Sequence, residues 1–437
     1  MRVLFATIGE PSHLDPQVPL AWALISAGHE VRVASGPAMT DLIAAAGLPP
    51  VAVGEDHGMD ELLRAAESEA GGSIENEIAD WSHPFDESLT WPEVLIKYQA
   101  SVPYGLQPYN DPILEGLVDF ARQWKPDLVI WDPLTYAGAV AAEAVGAAHA
   151  RLLWSVDIYS TMYRTWQRLS MEQPPEERHD PLRDWLTPAL QEVGAEFSEE
   201  ILTGQWTIDL VPDSLQFELE TPRLPVRYVP FHTRRPAPSW IHEQPVRPRV
   251  ALSGRGSLDA KLNSSIFPVK ATIEALAEMD VEVVAVLSED EREQLGTVPE
   301  NIRLVDFVPF HMLLPTCSVL IHHGGFGAAS TAALNGVPQL LLPIRHADAW
   351  VRAEHLAQAG AGLFHHALEA DTGTIRKSLT RLLEERSFRE KAWDLQQQMV
   401  MTATPNDIVA DLERLTHRHR RDSDGANTPR TWTGGRA

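Results

Sequence analysis

Two short segments bring together residue types that can move a proton and hold an anion. The first, Thr7-Ile8-Gly9-Glu10-Pro11-Ser12-His13, follows an apolar run and places a histidine in a loop. An imidazole titrates near neutrality, so it can accept a proton from a hydroxyl nucleophile. Such a base needs a group that fixes its tautomer, and Asp132, directly after Asp127-Leu128-Val129-Ile130-Trp131, is the candidate. Each has a plainer reading. A loop histidine is commonly a surface residue, and a carboxylate after a strand commonly caps the next helix.

The second segment is His322-His323-Gly324-Gly325-Phe326-Gly327. Its glycines let backbone N–H groups approach a ligand, and a helix opening near Phe326 directs its dipole at an anion such as a diphosphate. Adjacent strand residues point to opposite faces, so one histidine is expected to pack and the other to face the ligand. His346-Ala347-Asp348 has a metal-like spacing without companion ligands, and no metal is expected. The loop before His13 holds one glycine rather than G-x-G-x-x-G, which disfavours a nicotinamide or flavin enzyme.

The elements that must position these groups alternate. Strand, helix, strand, helix, strand reads from Arg2 to Val53, and the pattern resumes with a helix over 113–124, a strand over 127–131, a helix over 137–145 and a strand over 150–154. A second series follows Arg249, with strands over 249–253, 282–287, 302–305, 319–322 and 339–342 and helices over 268–279, 326–334 and 352–359. This predicts an α/β protein of two facing, Rossmann-like doubly wound domains with a cleft between the carboxyl ends of their sheets. Residues 55–111 lack a clean period and read as an insertion or lid on the acceptor side, or as a surface excursion. Residues 222–248, rich in proline and arginine, read as a stiff connection. The expected division is 1–225, a linker over 226–248, 249–400, a helix over 401–420 returning to the first domain, and a disordered tail over 421–437.

At 437 residues the chain exceeds one ordinary hydrophobic core, and 44% apolar with 22% charged residues is a globular composition. The formal charge of −25 disfavours nucleic acid and acidic membrane partners. No stretch of about 18 apolar residues occurs, so no membrane span and a cytoplasmic location are expected. A single cysteine, Cys317, leaves no intramolecular disulfide.

Taken together, these sites resemble the family 1 glycosyltransferases of the GT-B fold, from Met1 to about Leu415. The match is closest to actinobacterial enzymes that attach deoxysugars to macrolides, anthracyclines and similar polyketides. Ser12-His13 with 18–24, Lys125 to Trp131, Thr203 to Asp209, Val308-Pro309, His322 to Gly327, Gly336 to Gln339 and Gly360-Ala361-Gly362 carry it.

The resemblance implies inverting displacement. His13 would deprotonate the acceptor hydroxyl, Asp132 would support it, and His323 with Gly324, Gly325 and Gly327 would meet the leaving diphosphate. Val308 would present backbone to the nucleobase, and Gly256 and Ser257 would lie near the phosphates, although a simple turn fits them equally. Ala328 stands where the family usually has Thr or Ser. Asp348-Ala349 stands where glucose-using members have Asp-Gln, which fits a donor lacking hydroxyls and implies a dTDP-deoxysugar as co-substrate, with no other cofactor. Trp81, Trp154 and Tyr159 either line an acceptor pocket or fill core.

The partners expected are a small-molecule aglycone, a nucleotide sugar, a cytochrome-P450-like helper protein docking near residues 55–109, and a second copy in a homodimer. The competing readings are a catalytically silent binding or helper relative, and a sugar-nucleotide epimerase or hydrolase on the same fold.

Overall fold

The computed structural model describes residues 1–62, 80–232, 235–254 and 266–420. Gly256, Ser257 and the tail over 421–437 lie outside these residues.

Thirteen short strands form two parallel sheets among the described residues. The first contains β1 (Arg2–Ala6), β2 (Glu30–Ser35), β3 (Pro50–Ala52), β4 (Leu128–Trp131), β5 (Ala148–Leu153), β6 (Trp206–Asp209) and β7 (Arg223–Pro225), in the order β3-β2-β1-β4-β5-β6-β7. The second contains β8 (Arg249–Ser253), β9 (Glu282–Val286), β10 (Ile302–Val305), β11 (Val319–His322), β12 (Gln339–Leu341) and β13 (Gly362–Phe364), in the order β10-β9-β8-β11-β12-β13. The central strands β4, β5 and β11 are buried throughout, as strands covered by helices on both faces must be. Alternate residues of the first sheet enter opposite cores: Val3 and Phe5 join one cluster, Leu4 and Ala6 the other.

Strand order reverses between β1 and β4 in the first sheet and between β8 and β11 in the second. The connections leaving such a pair diverge to opposite faces and open a crevice beyond the carboxyl ends. Both segments singled out above leave the sheets at these points.

Two sequence expectations need correction. Within the stretch 55–111, residues 91–111 are no irregular lid: helix Trp91–Ser101, a wide turn over Val102–Leu106 and helix Gln107–Trp124 run on continuously, the last taking in the helix expected over 113–124. Pro92 and Pro108 sit in first turns, where no N–H is required. A capping box is also present, with the Thr90 N–H donating to Glu93 Oε2 at 2.7 Å. The proline-rich connection begins only after Pro225, because Arg223–Pro225 pairs with β6 as an edge strand, a place that tolerates proline. Helices Ile158–Met171 and Pro181–Glu192, capped by Asp157 and Asp180, lie where the sequence reading assigned no element.

The two halves share one apolar cluster that includes Val3, Tyr228, Phe326, Met399 and Leu412. Helix Val409–His419 packs against β5 and is tied there by His29 Nε2 to Glu413 at 3.1 Å and by the Arg420–Asp127 ion pair. Among the described residues no helix is long and apolar enough to cross a membrane.

Candidate active site

β1 ends at Ala6, and the chain turns into a short helix, Pro11–Leu14, whose third residue is His13. Pro11 starts this helix and the His13 N–H returns to the Glu10 carbonyl at 3.0 Å, so the imidazole sits on one rigid turn at the crevice. β4 ends at Trp131 and delivers Asp132 to the same edge.

The two side chains meet. His13 Nδ1 lies 2.6 Å from Asp132 Oδ2, and the carboxylate is fully buried while the imidazole keeps about 11% of its surface. The Trp154 Nε1–H donates to the same Oδ2 at 3.2 Å, and the Trp154 ring meets the His13 ring edge-on at 4.5 Å. Asp132 Oδ1 accepts the Leu134 N–H at 2.9 Å. Asp132 does not cap the next helix, Tyr136–Glu143, whose N-cap is Thr135 with no side-chain cap bond; Oδ1 stabilises the turn before it and Oδ2 pairs with the histidine.

Trp154 leads across the cleft. Its other neighbour is Phe326, 5.9 Å away, the first residue of helix Phe326–Leu334. Gly325 is the N-cap, and no side chain caps this helix. Its first-turn N–H groups thus keep their donor capacity and the positive end of the dipole.

The histidine pair divides as strand alternation requires. His322 is fully buried, with Nε2 2.9 Å from Gln339 Oε1, while Nδ1 accepts the Gly324 N–H at 3.1 Å. His323 is partly exposed. Burial pushes the first imidazole down to about 3 and the second to about 4, so both are neutral at pH 7. A neutral ring can donate a hydrogen bond to a diphosphate but carries no cation.

The glycines serve different ends. Gly324 takes φ +99°, a left-handed conformation that L side chains rarely adopt. At Gly325 a Cβ would fall 2.6 Å from His323 Nε2, so a side chain there would require the ring to move. At Gly327 a Cβ would meet, among the described residues, only Tyr228 Oη, at 3.6 Å, an ordinary van der Waals contact.

The other candidates are placed as follows. Ala328 is partly buried in the same helix, and Ser330, two residues on, is buried. Val308 follows β10 with its side chain buried beside Leu313 and Ile241. Asp348 is buried; its Oδ2 accepts the Val156 N–H at 2.8 Å across the cleft and pairs with Arg352. Tyr159 is partly exposed, and its phenol is pushed well up by burial and then by the nearby Asp348 carboxylate. Trp81 is buried, 5.0 Å from the Tyr98 ring and 6.4 Å from that of Tyr159. Among the described residues no group of three or more His, Cys, Asp or Glu could hold a metal ion.

Sequence reasoning missed three things here. The role of Trp154 as a donor to Asp132 has no sequence signal, because the contact spans 22 residues and two strands. Glu10, His57 and Tyr109 gather beside the His13 turn, with Glu10 Oε1 3.5 Å from His57 Nε2 and 3.4 Å from Tyr109 Oη. Arg352 was legible, since a helical Asp and Arg four apart face each other.

Residues 22–255 match the family described as "Erythromycin biosynthesis protein CIII-like, N-terminal domain" and 270–415 match its C-terminal domain. The chain belongs to this family, and it is a family 1 glycosyltransferase of the GT-B fold. It is 43% identical to the aclacinomycin-T 2-deoxy-L-fucose transferase of Streptomyces galilaeus, over 98% of this chain and 99% of that one. It is also 43% identical to the 10-deoxymethynolide desosaminyltransferase of Streptomyces venezuelae, over 96% and 98%. The crystal structure of glycosyltransferase VinC in complex with dTDP superposes with a TM-score of 0.84 at 37% identity, covering 96% of this chain and all of that one.

Proposed function

We propose that this enzyme transfers a deoxysugar from a dTDP-activated donor to a hydroxyl of a polyketide-type acceptor, with inversion at the anomeric carbon and His13 as general base. The observation that carries this reading is the His13–Asp132 pair at 2.6 Å, separated only by Trp154 from the uncapped start of helix Phe326–Leu334. The similar transferases named for 2-deoxy-L-fucose and desosamine, and the dTDP held by VinC, support the substrate classes.

In this reading Asp132 Oδ2 accepts the Nδ1 proton, which leaves the Nε2 lone pair for the acceptor hydroxyl. As the hydroxyl oxygen attacks the anomeric carbon, its proton passes to Nε2, and the buried carboxylate stabilises the imidazolium that results. The bond from the anomeric carbon to the diphosphate oxygen breaks, and its electron pair leaves with dTDP. The N–H groups at the start of the helix, which no side chain caps among the described residues, meet the charge that develops there with the neutral His323 ring beside them.

The test is incubation of the purified protein, alone and with a helper, with dTDP-deoxysugars and polyketide aglycones, read by mass spectrometry. A glycosylated product that requires the aglycone supports transfer. Donor turnover without aglycone would sink it in favour of an epimerase or hydrolase. His13→Ala should abolish transfer and leave dTDP binding within about twofold.

A further inference from the structure

Asp348 and Arg352 form a buried ion pair on helix Ala349–Gln358 and the residue just before it, and both ends of the pair are engaged. The guanidinium donates through one nitrogen to Asp348 Oδ2 and through the other to the Gly324 carbonyl, and it lies over the Phe326 ring at 5.4 Å. The two peptide groups that flank the Gly324 Cα are thus both held, the first through the Gly324 N–H by His322 Nδ1 and the second through the Gly324 carbonyl by Arg352. Asp348 in turn reaches into the other half of the molecule, where its Oδ2 accepts the Val156 N–H just beyond β5 at 2.8 Å. Ala347 takes φ +46°, a left-handed and costly conformation for alanine, directly before Asp348. This strain is stored where the carboxylate must swing towards both partners.

We propose that Arg352 is a positioning residue that couples closure of the cleft to the anion-binding turn. Bonding of Val156 to Asp348 sets the guanidinium, the guanidinium holds the Gly324 carbonyl, and the turn then offers N–H donors with its own carbonyl dipole neutralised. Because His322 and His323 are neutral at pH 7 and both feel the Arg352 charge, the guanidinium also brings a cation to this turn. The coupling is reciprocal, so a ligand that favours the ordered turn must favour the closed cleft by the same factor. This inference rests on the donor assignment made above.

The experiment is calorimetric titration of the full-length protein with dTDP, which carries no sugar and so leaves out any direct contact between Asp348 and the sugar. The unaltered protein should bind. Arg352→Gln should weaken binding at least tenfold, and Arg352→Lys, which keeps the charge but cannot reach both partners, should fall between the two. Asp348→Asn should weaken dTDP binding severalfold, and the double variant should bind no worse than Arg352→Gln alone. In the transfer assay the donor KM should rise while the acceptor KM stays within twofold. Folded Arg352→Gln and Asp348→Asn variants that bind dTDP within twofold of the unaltered protein would overturn the proposal, whatever their melting temperatures. Should Arg352→Gln fail to fold, the dTDP affinities of Arg352→Lys and Asp348→Asn decide the question by the same twofold criterion. Failure of the unaltered protein to bind dTDP would overturn the donor assignment, and this inference with it.

Discussion

Replacing Asp132 by asparagine changes almost nothing in shape and a great deal in hydrogen bonding. The carboxylate accepts from His13 and Trp154 on Oδ2 and from Leu134 on Oδ1, whereas an amide has one accepting oxygen. If that oxygen stays on the Leu134 N–H, the amide NH2 faces the Trp154 N–H, donor against donor, and forces His13 Nδ1 to become an acceptor. The imidazole proton then sits on Nε2, the nitrogen that must take the proton of the hydroxyl. If the amide flips, the Leu134 turn loses its partner instead. The charge-assisted bond to His13 contributes about 1.5–3 kcal/mol, or one to two decades in rate at roughly 1.4 kcal/mol per decade. The wrong tautomer adds a further penalty, so kcat is expected to fall about a thousandfold, within the range of general-base losses. Because Asp132 lies in the half opposite the 322–327 turn, the dTDP Kd should stay within about twofold. Initial rates of aglycone glycosylation by chromatography, with calorimetry for dTDP, measure both. A kcat within threefold of the unaltered enzyme would refute the His13–Asp132 assignment.

Trp154→Phe removes the 3.2 Å bond to Asp132 and leaves most of the ring, so kcat should fall about five- to tenfold, a loss of ~1 kcal/mol, with unchanged dTDP affinity. Gly327→Ala should leave the melting temperature unchanged or raised, since among the described residues the added methyl meets only Tyr228 Oη at 3.6 Å and alanine is the better helix former. The same variant should weaken dTDP binding about tenfold, and intact binding would show that no ligand approaches there. Burial holds the folded His322 pKa at about 3 against an unfolded value near 6.5, so the unfolded chain binds more protons between those values. The stability that the neutral ring contributes is present above pH 6.5 and lost as pH falls towards 3, an effect on the order of a few kcal/mol. Denaturant titrations from pH 7 to 4 should show a shallower acid decline for His322→Asn than for the unaltered protein.

Much of this was legible in the residues because the information is local. The apolar runs at 2–6, 128–131 and 319–322, the glycine stops at 28 and 47, and the helix opening at Phe326 are each set by a few neighbours, and the structure places elements at all of them. Residues 91–111 were misread because they lack a clean hydrophobic period, although Thr90 and Glu93 already announced a helix start. His13, Asp132 and His323 could be named as candidates from residue type and from their places at strand ends.

What the sequence could not decide is how those candidates are paired and charged. The 119-residue separation of His13 and Asp132 closes only because β1 and β4 lie side by side at the point where strand order reverses. Trp154 meets them from the next strand, and Val156 meets Asp348 from the other half of the molecule. Likewise, His323 has the residue type of a cation but is neutral at pH 7, because protonation is governed by the density and charge of whatever folds around the ring. Local sequence determines which groups stand at the ends of the strands. Desolvation and long-range contact, which exist only once both halves are packed, determine which of them meet, and in what state of charge.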